Sequence, residues 1–299
     1  MHENTRIMPV EFEYLQPTTK AEALDMLQKH ENVKILAGGT DLIVKLKTGA
    51  DIKVDYMMYI KEIQELNYVR LENNQVKIGA ATPLSFIENN DIIKDKIPAL
   101  SEAIKAMAAI AVRNMGTIGG NLCNSSPAGD TIPPLTAYGA KLVLAGKDKT
   151  REIEISQFIT GPGKNILEKD EMLVEVIVPV PKDFTGAAFI KKTRVKADIS
   201  KINTAVLVER TDDLCTDCKI VMGSVAATVV RIPKAEELLK GQKVNLQLVK
   251  DTAKIVSEEI KPIDDNRSTA EYRKDIAVVI LEEAIKSAWQ RSGGEIIND

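Results

Sequence analysis

Histidine is almost absent from this chain: His2 and His30 are the only two among 299 residues. Histidine is the usual base near neutral pH, so a Ser-His-Asp or Cys-His hydrolase has almost no candidate for that role. A His-ligated zinc site is disfavoured for the same reason. His2 lies in the N-terminal stretch and His30 in a polar turn, and both read as surface residues. Cysteine is nearly as scarce. Cys123, Cys215 and Cys218 are too few for a disulfide framework or for the four thiolates of an iron–sulfur cluster, and an odd count fits a reducing compartment. Cys215 and Cys218 form a C-x-x-C, but between expected strands rather than at a helix start, where thioredoxin-like chemistry would need it. In an extended chain residues three apart point to opposite faces, so the pair reads as two ordinary cysteines near a hairpin.

Long apolar runs are also missing. The N-terminal thirty residues hold no apolar stretch of about 7–15 residues after a basic start, and no run elsewhere approaches the ~18 residues needed to cross a bilayer. The expectation is a cytoplasmic protein without a membrane span, whose sequons at Asn124 and Asn266 meet no glycosylation enzyme. Neither sign of charge dominates, with 40 Lys plus Arg against 43 Asp plus Glu and a net charge of −3, so no nucleic-acid partner is expected. What remains is ordinary globular composition, 44% hydrophobic and 28% charged, at a length suited to two domains.

The N-terminal stretch reads as a short strand around Phe12–Tyr14, then a helix opened by Thr19 with Glu22 three residues on, a capping-box pattern, with Leu24 and Leu27 on its apolar face. Val33–Ala37 reads as a buried strand broken by Gly38 and Gly39, followed by a short helix over Asp41–Lys47. A second block runs from about Tyr56 to Val178. In it Val76, Ile78 and Ala80 alternate, and Leu142–Leu144 pairs across the polar turn Gly146–Thr150 with Ile153 and Ile155. A helix is expected from Pro98 to about Val112, passing into a polar segment, Arg113–Thr131, too rich in Gly, Asn and Ser to continue as helix.

Pro179 and Pro181 mark a boundary, giving a first domain over 1–180, with lobes of about 1–55 and 56–180, and a second over 181–299. The second has strands at Ala187–Lys192, Thr204–Glu209 and Lys219–Val225. Helices follow near Lys234–Leu239, Leu246–Ile260 and Ala270–Trp289, an α+β pattern of a sheet with helices on one face. Ile276, Val279, Ile280 and Leu281 form the expected apolar side of the last helix.

Two glycine segments carry the chemical signal. In Ile35–Lys47, ILAGGTDLIVKLK, a glycine pair permits a tight turn with backbone N–H groups close to an anion, and a helix starting near Asp41 adds its positive end. It is neither G-x-G-x-x-G nor a Walker A motif. The second, RNMGTIGGNLCNSSPAGD at Arg113–Asp130, concentrates donors and acceptors suited to a ligand rich in hydroxyls and phosphates. A solvated surface loop is the other reading of that composition.

These segments, with IGAATPLSFIE at Ile78–Glu88, FITGPGKNIL at Phe158–Leu167, EMLVEVIVPVP at Glu171–Pro181 and IVMGSVAATVVR at Ile220–Arg231, follow one order along nearly the whole chain. That order resembles the FAD-binding medium subunit of molybdenum hydroxylases, the group of xanthine, carbon monoxide and nicotinate dehydrogenases. The resemblance implies a two-lobed FAD-binding fold of the vanillyl-alcohol-oxidase and p-cresol-methylhydroxylase type, plus a C-terminal α+β flavoprotein domain. It places FAD against Ala37, Gly38, Gly39, Thr40, Asp41 and Leu42, and against Thr117, Gly119, Gly120, Asn121 and Asp130. Leu173 matches an apolar position near the flavin, and Lys191 stands at or one residue from a basic one.

The chain departs from xanthine-dehydrogenase relatives before the second segment, where an aromatic residue covers the isoalloxazine. Met107 is the nearest residue here, either padding the ring or forming the core side of its helix. By the same resemblance, an iron–sulfur small subunit and a molybdopterin large subunit are the partners, one of each per protomer of a hetero-oligomer. Electrons would pass through FAD to an external acceptor such as NAD, while a heterocycle or aldehyde-like substrate is oxidised in a partner chain. A free-standing flavin oxidoreductase of the same fold and a flavin-free assembly subunit are the alternatives.

Overall fold

A computed structural model describes residues 8–296, so His2 lies outside the described residues. The first lobe alternates strand and helix: β1 (Glu13–Leu15), α1 (Lys20–Lys29), β2 (Val33–Leu36), α2 (Leu42–Lys47) and β3 (Tyr56–Tyr59). The strands form a parallel sheet in the order β1-β3-β2. Thr19 caps α1 as expected, its Oγ1 accepting from the Glu22 amide at 3.2 Å, while the Glu22 carboxylate accepts from the Thr18 amide at 2.7 Å. Leu24 and Leu27 are buried beneath it. β2 is half-buried rather than buried, because it is an edge strand of a small sheet.

The second lobe opens with β4 (Val69–Glu72) and β5 (Gln75–Gly79). Helices α3 (Leu84–Asn89), α4 (Asp91–Lys96), α5 (Pro98–Ala106), α6 (Ile110–Met115), α7 (Ile118–Cys123) and α8 (Ile132–Ala137) follow. The lobe closes with β6 (Lys141–Ala145), β7 (Thr150–Glu154), α9 (Ile155–Phe158), β8 (Ile159–Gly161), β9 (Lys164–Asn165) and β10 (Met172–Pro179). Its main sheet is antiparallel, in the order β4-β5-β10-β6-β7. Leu142 faces Ile153 across the expected hairpin, but Ile155 has left the ladder for α9.

Two expectations fail in the helical layer. The helix from Pro98 does not reach Val112. It stops at Ala106 because Ala108 takes a left-handed φ of 45°, and α6 starts afresh. The glycine-rich segment is not simply loop either, since α6 runs into it and α7 lies within it. Helix formation there costs up to about 1 kcal/mol per glycine. Burial of Ile118 and Leu122, with the Thr117 Oγ1 cap on the Gly120 amide, offsets this.

The C-terminal part holds the antiparallel sheet β11 (Thr185–Lys192), β12 (Ile202–Thr211), β13 (Leu214–Gly223) and β14 (Val230–Arg231) in sequential order. It is followed by α10 (Pro233–Leu239), α11 (Leu246–Glu259) and α12 (Ala270–Arg291). Ala188, Val206, Ile220 and Met222 pack on these helices. The opposite face is not open: Ala187, Phe189, Ala205, Leu207 and Val221 join the core of the second lobe with Ile104 and Leu135. The apolar stripe of α12 is Ala277, Ile280, Leu281, Ala284, Ile285 and Ala288, whereas Val279, expected on it, is 53% exposed.

The C-x-x-C also departs from expectation. Arg210 faces Cys215 and Glu209 faces Asp217, so Thr216 is an extra, bulged residue. A bulge reverses the alternation of side chains, and both thiols are buried on the helix-packed face.

Candidate functional site

The end of β2 brings the first glycine segment against the second, backbone to backbone. A Cβ on Gly38 would lie 2.1 Å from the Met115 carbonyl oxygen and 2.7 Å from the Gly116 Cα, so only glycine permits this approach. Gly119 is equally constrained, with the Ala80 carbonyl oxygen 2.7 Å from where its Cβ would be. Gly39 turns the chain at φ 70°. Ala37 packs on the first-lobe core, and Leu42 on a smaller cluster around Leu46 and Met57. Asp41 is thereby brought to the C-terminal end of α7, and Thr40 Oγ1 to 3.7 Å from where a Gly116 Cβ would stand.

A side-chain bridge spans the two segments. Asn124 Nδ2 donates to Asp41 Oδ1 at 3.1 Å, and Lys45 Nζ donates to Asn124 Oδ1 at 2.6 Å. Asn124 and Lys45 are absent from the residues expected at the site: each lies in one of the two segments but several residues from its glycines, and only proximity in space couples them. Gly120, in the first turn of α7, is exposed, and a Cβ there would meet only Thr117 Oγ1 at 3.1 Å. Asn121 Oδ1 accepts from Thr131 Oγ1 at 2.7 Å, which orients its amide and leaves Nδ2 without a protein acceptor among the described residues.

Asp130 and Lys191 meet, but as a buried pair. Lys191 Nζ donates to Asp130 Oδ2 at 2.9 Å, and Asp130 Oδ1 accepts from Ser200 Oγ at 2.5 Å and Asn203 Nδ2 at 2.7 Å. Both carboxylate oxygens are therefore engaged by the C-terminal sheet. Ser200 and Asn203 were not expected from sequence. Leu173 is buried on β10 within the second-lobe core, and Met107 is half-buried at the end of α5, against that same core.

Much of the segment's polarity serves to hold its own loop. Asn165 Nδ2 donates to the Cys123 carbonyl and to Ser125 Oγ, both at 3.1 Å, and the Ser224 amide donates to the Pro127 carbonyl at 2.8 Å. The cysteines stand apart from this chemistry. Desolvation pushes the Cys123 thiol up to about 12. Cys215 Sγ donates to the Asp217 carbonyl at 3.6 Å and Cys218 Sγ to the Glu236 carbonyl at 3.3 Å, and the interaction of the two neighbouring thiols lowers the first one's pKa and raises the second's. Replacing all three with Ala is expected to leave FAD content and electron transfer unchanged while lowering Tm by a few degrees, since the lost volume is small. The check is a flavin spectrum beside a thermal melt.

Residues 10–181 match the model of the FAD binding domain in molybdopterin dehydrogenase, and residues 187–288 that of the CO dehydrogenase flavoprotein C-terminal domain. The chain belongs to the FAD-binding medium subunits of molybdenum hydroxylases. FAD is the cofactor of this oxidoreductase family. The glyceraldehyde dehydrogenase medium chain of Sulfolobus acidocaldarius is 34% identical, the match covering 93% of this chain and 98% of that protein. The xanthine dehydrogenase FAD-binding subunit of Escherichia coli is 30% identical over 95% of this chain and 98% of that one. Carbon monoxide dehydrogenase from Hydrogenophaga pseudoflava superposes at a TM-score of 0.91 with 30% identity, covering 95% of this chain and 99% of that one. The expected two-part α+β flavoprotein fold is thus the medium-subunit fold.

The geometry of this medium subunit fits FAD. Beside the contact of Gly38 with Gly116, the Asn121 side-chain amide has a donor to spare, Gly39 turns the chain at a positive φ, and exposed Gly120, its own amide capped by Thr117 Oγ1, leaves room without side-chain bulk. No helix among the described residues is long and apolar enough to cross a membrane.

Proposed function

We propose that this medium subunit, loaded with FAD, carries electrons from the iron–sulfur clusters of a small partner subunit to an external acceptor such as NAD, while a molybdopterin large subunit oxidises the substrate. The assembly has one copy of each subunit per protomer. When bound, FAD supplies the capacity to gather single electrons and release them as a pair. The chain's own task is to bind and orient it. Residues 1–180 form the FAD-binding part, its first lobe extending past residue 55 to include β3, and 181–299 form the flavoprotein C-terminal part.

Ala37, Gly38, Gly39, Thr40, Asp41 and Leu42 form one wall of the cofactor site, and Thr117, Gly119, Gly120 and Asn121 the other. The Gly39 turn and the Asn121 side-chain amide face the pyrophosphate, and Gly120, with no side chain, leaves the space for it. Met107 and Leu173 border the ring, with the Asp130–Lys191 pair closing the C-terminal side. The observation carrying this reading is the backbone contact of Gly38 with Met115 and Gly116 beside the exposed Gly120.

Expressed alone, the chain is expected to be yellow yet unable to oxidise a hydroxylase substrate, because it has too few thiols for a cluster and almost no histidine for base chemistry. Purines, pyridines, aldehydes and carbon monoxide are assayed with a dye acceptor, with and without the partner subunits. Substrate-dependent dye reduction by the lone chain overturns the proposal. So does a colourless protein that takes up no FAD.

A further inference from the structure

Ala108 is a non-glycine residue at φ 45°, in the turn that separates α5 from α6. Such a conformation is uncommon for alanine and persists only where the surroundings enforce it. One side chain does so. Arg113 Nη1 donates to the Met107 carbonyl at 2.9 Å and to the Ala108 carbonyl at 2.8 Å, while its Nε donates to Glu88 Oε2 at 2.8 Å. Arg113 and Glu88 side chains are only 12% and 13% exposed. Successive carbonyls reach one guanidinium only if the chain folds back between them, and the left-handed Ala108 makes that fold. Arg113 and the strained turn therefore determine each other.

The turn begins at Met107, the residue placed beside the isoalloxazine in the proposed function. We propose that Arg113, itself oriented by Glu88 on α3, is a positioning residue that holds the Met107–Ala108 turn in its strained form and so sets the Met107 side chain against the flavin. This rests on the FAD reading of the site. Arginine is required because a planar fork serves two carbonyls and a carboxylate together, which the point charge of lysine does not.

The test uses the full chain, with FAD as the titrated probe. Arg113→Lys is expected to weaken FAD binding about tenfold, to shift the visible band and reduction potential of the bound flavin, and to lower Tm. Adding Ala108→Gly relieves the left-handed strain. The double variant therefore recovers Tm but keeps the weakened binding and the shifted band. Met107→Ala alone reproduces the spectral shift, and combining it with Arg113→Lys shifts the band no further, as expected if Arg113 acts through Met107.

Wild-type FAD affinity and spectrum in the Arg113→Lys/Ala108→Gly protein overturn the inference. Spectral effects of Arg113→Lys and Met107→Ala that simply add do the same. These outcomes are separable from failure of the FAD reading, which shows as no FAD uptake by the wild type, or normal uptake by Gly120→Val, and takes the inference down with it.

Discussion

Gly120→Val is expected to abolish retention of FAD while leaving the circular dichroism spectrum of the subunit unchanged. Gly120 lies within α7, its φ is not positive, and a Cβ there approaches only Thr117 Oγ1, at 3.1 Å. The fold therefore accepts valine at small cost, and valine is the better helix former of the two. The branched side chain would instead stand in the exposed space that the proposed site gives to the cofactor's phosphates. A loss of at least about a hundredfold in affinity, about 2.7 kcal/mol, is expected.

Gly38→Val is the contrasting variant. Its Cβ would fall 2.1 Å from the Met115 carbonyl oxygen, so it should lose flavin by losing structure. Bound flavin per chain, measured beside circular dichroism, separates the two. Native flavin content in a folded Gly120→Val protein removes the glycine segments from the cofactor site.

Asp130→Ala is expected to give the largest loss of stability, about 3–5 kcal/mol. The Asp130 and Lys191 side chains are 5% and 7% exposed, and removing the carboxylate leaves a buried ammonium with the Ser200 and Asn203 donors facing an emptied space. The pair also ties the segment after α7 to β11 and β12, so its loss loosens the C-terminal sheet from the FAD-binding part. Lys191→Met in the same protein removes the orphaned charge and should recover about half of the loss. Urea unfolding measures both. A shift of under ~1 kcal/mol in the single variant shows that water reaches the pair and that it is no clamp.

Elements stabilised by local signals are the ones that can be read along the chain. Thr19 followed by Glu22 announces the start of α1, and the glycine pair at 38–39 announces the turn into α2. Regular apolar spacing places α10, α11 and α12 within a residue or two of where they stand. The glycine motifs belong to this class too, because close backbone approach leaves glycines at set positions. The break at Ala108 does not, since it comes from a guanidinium five residues away, and nothing in Met-Ala-Ala marks it. Nor does the helix α7, formed against the propensity of its glycines because two of its side chains fill the core.

The sequence by itself determined the reaction classes excluded by two histidines and three cysteines, the order of most elements, and the family to which the paired glycine segments point. Only the tertiary structure decided that Asn124 joins those segments, that Asp130 is held by Ser200 and Asn203, and that a bulge at Thr216 puts both C-x-x-C thiols in the core. The physical reason is range. Capping, turns and periodic burial act over a few residues and are written where they act. These contacts join residues tens of positions apart, or depend on which strand lies alongside, and they come into being only once the separate cores have packed.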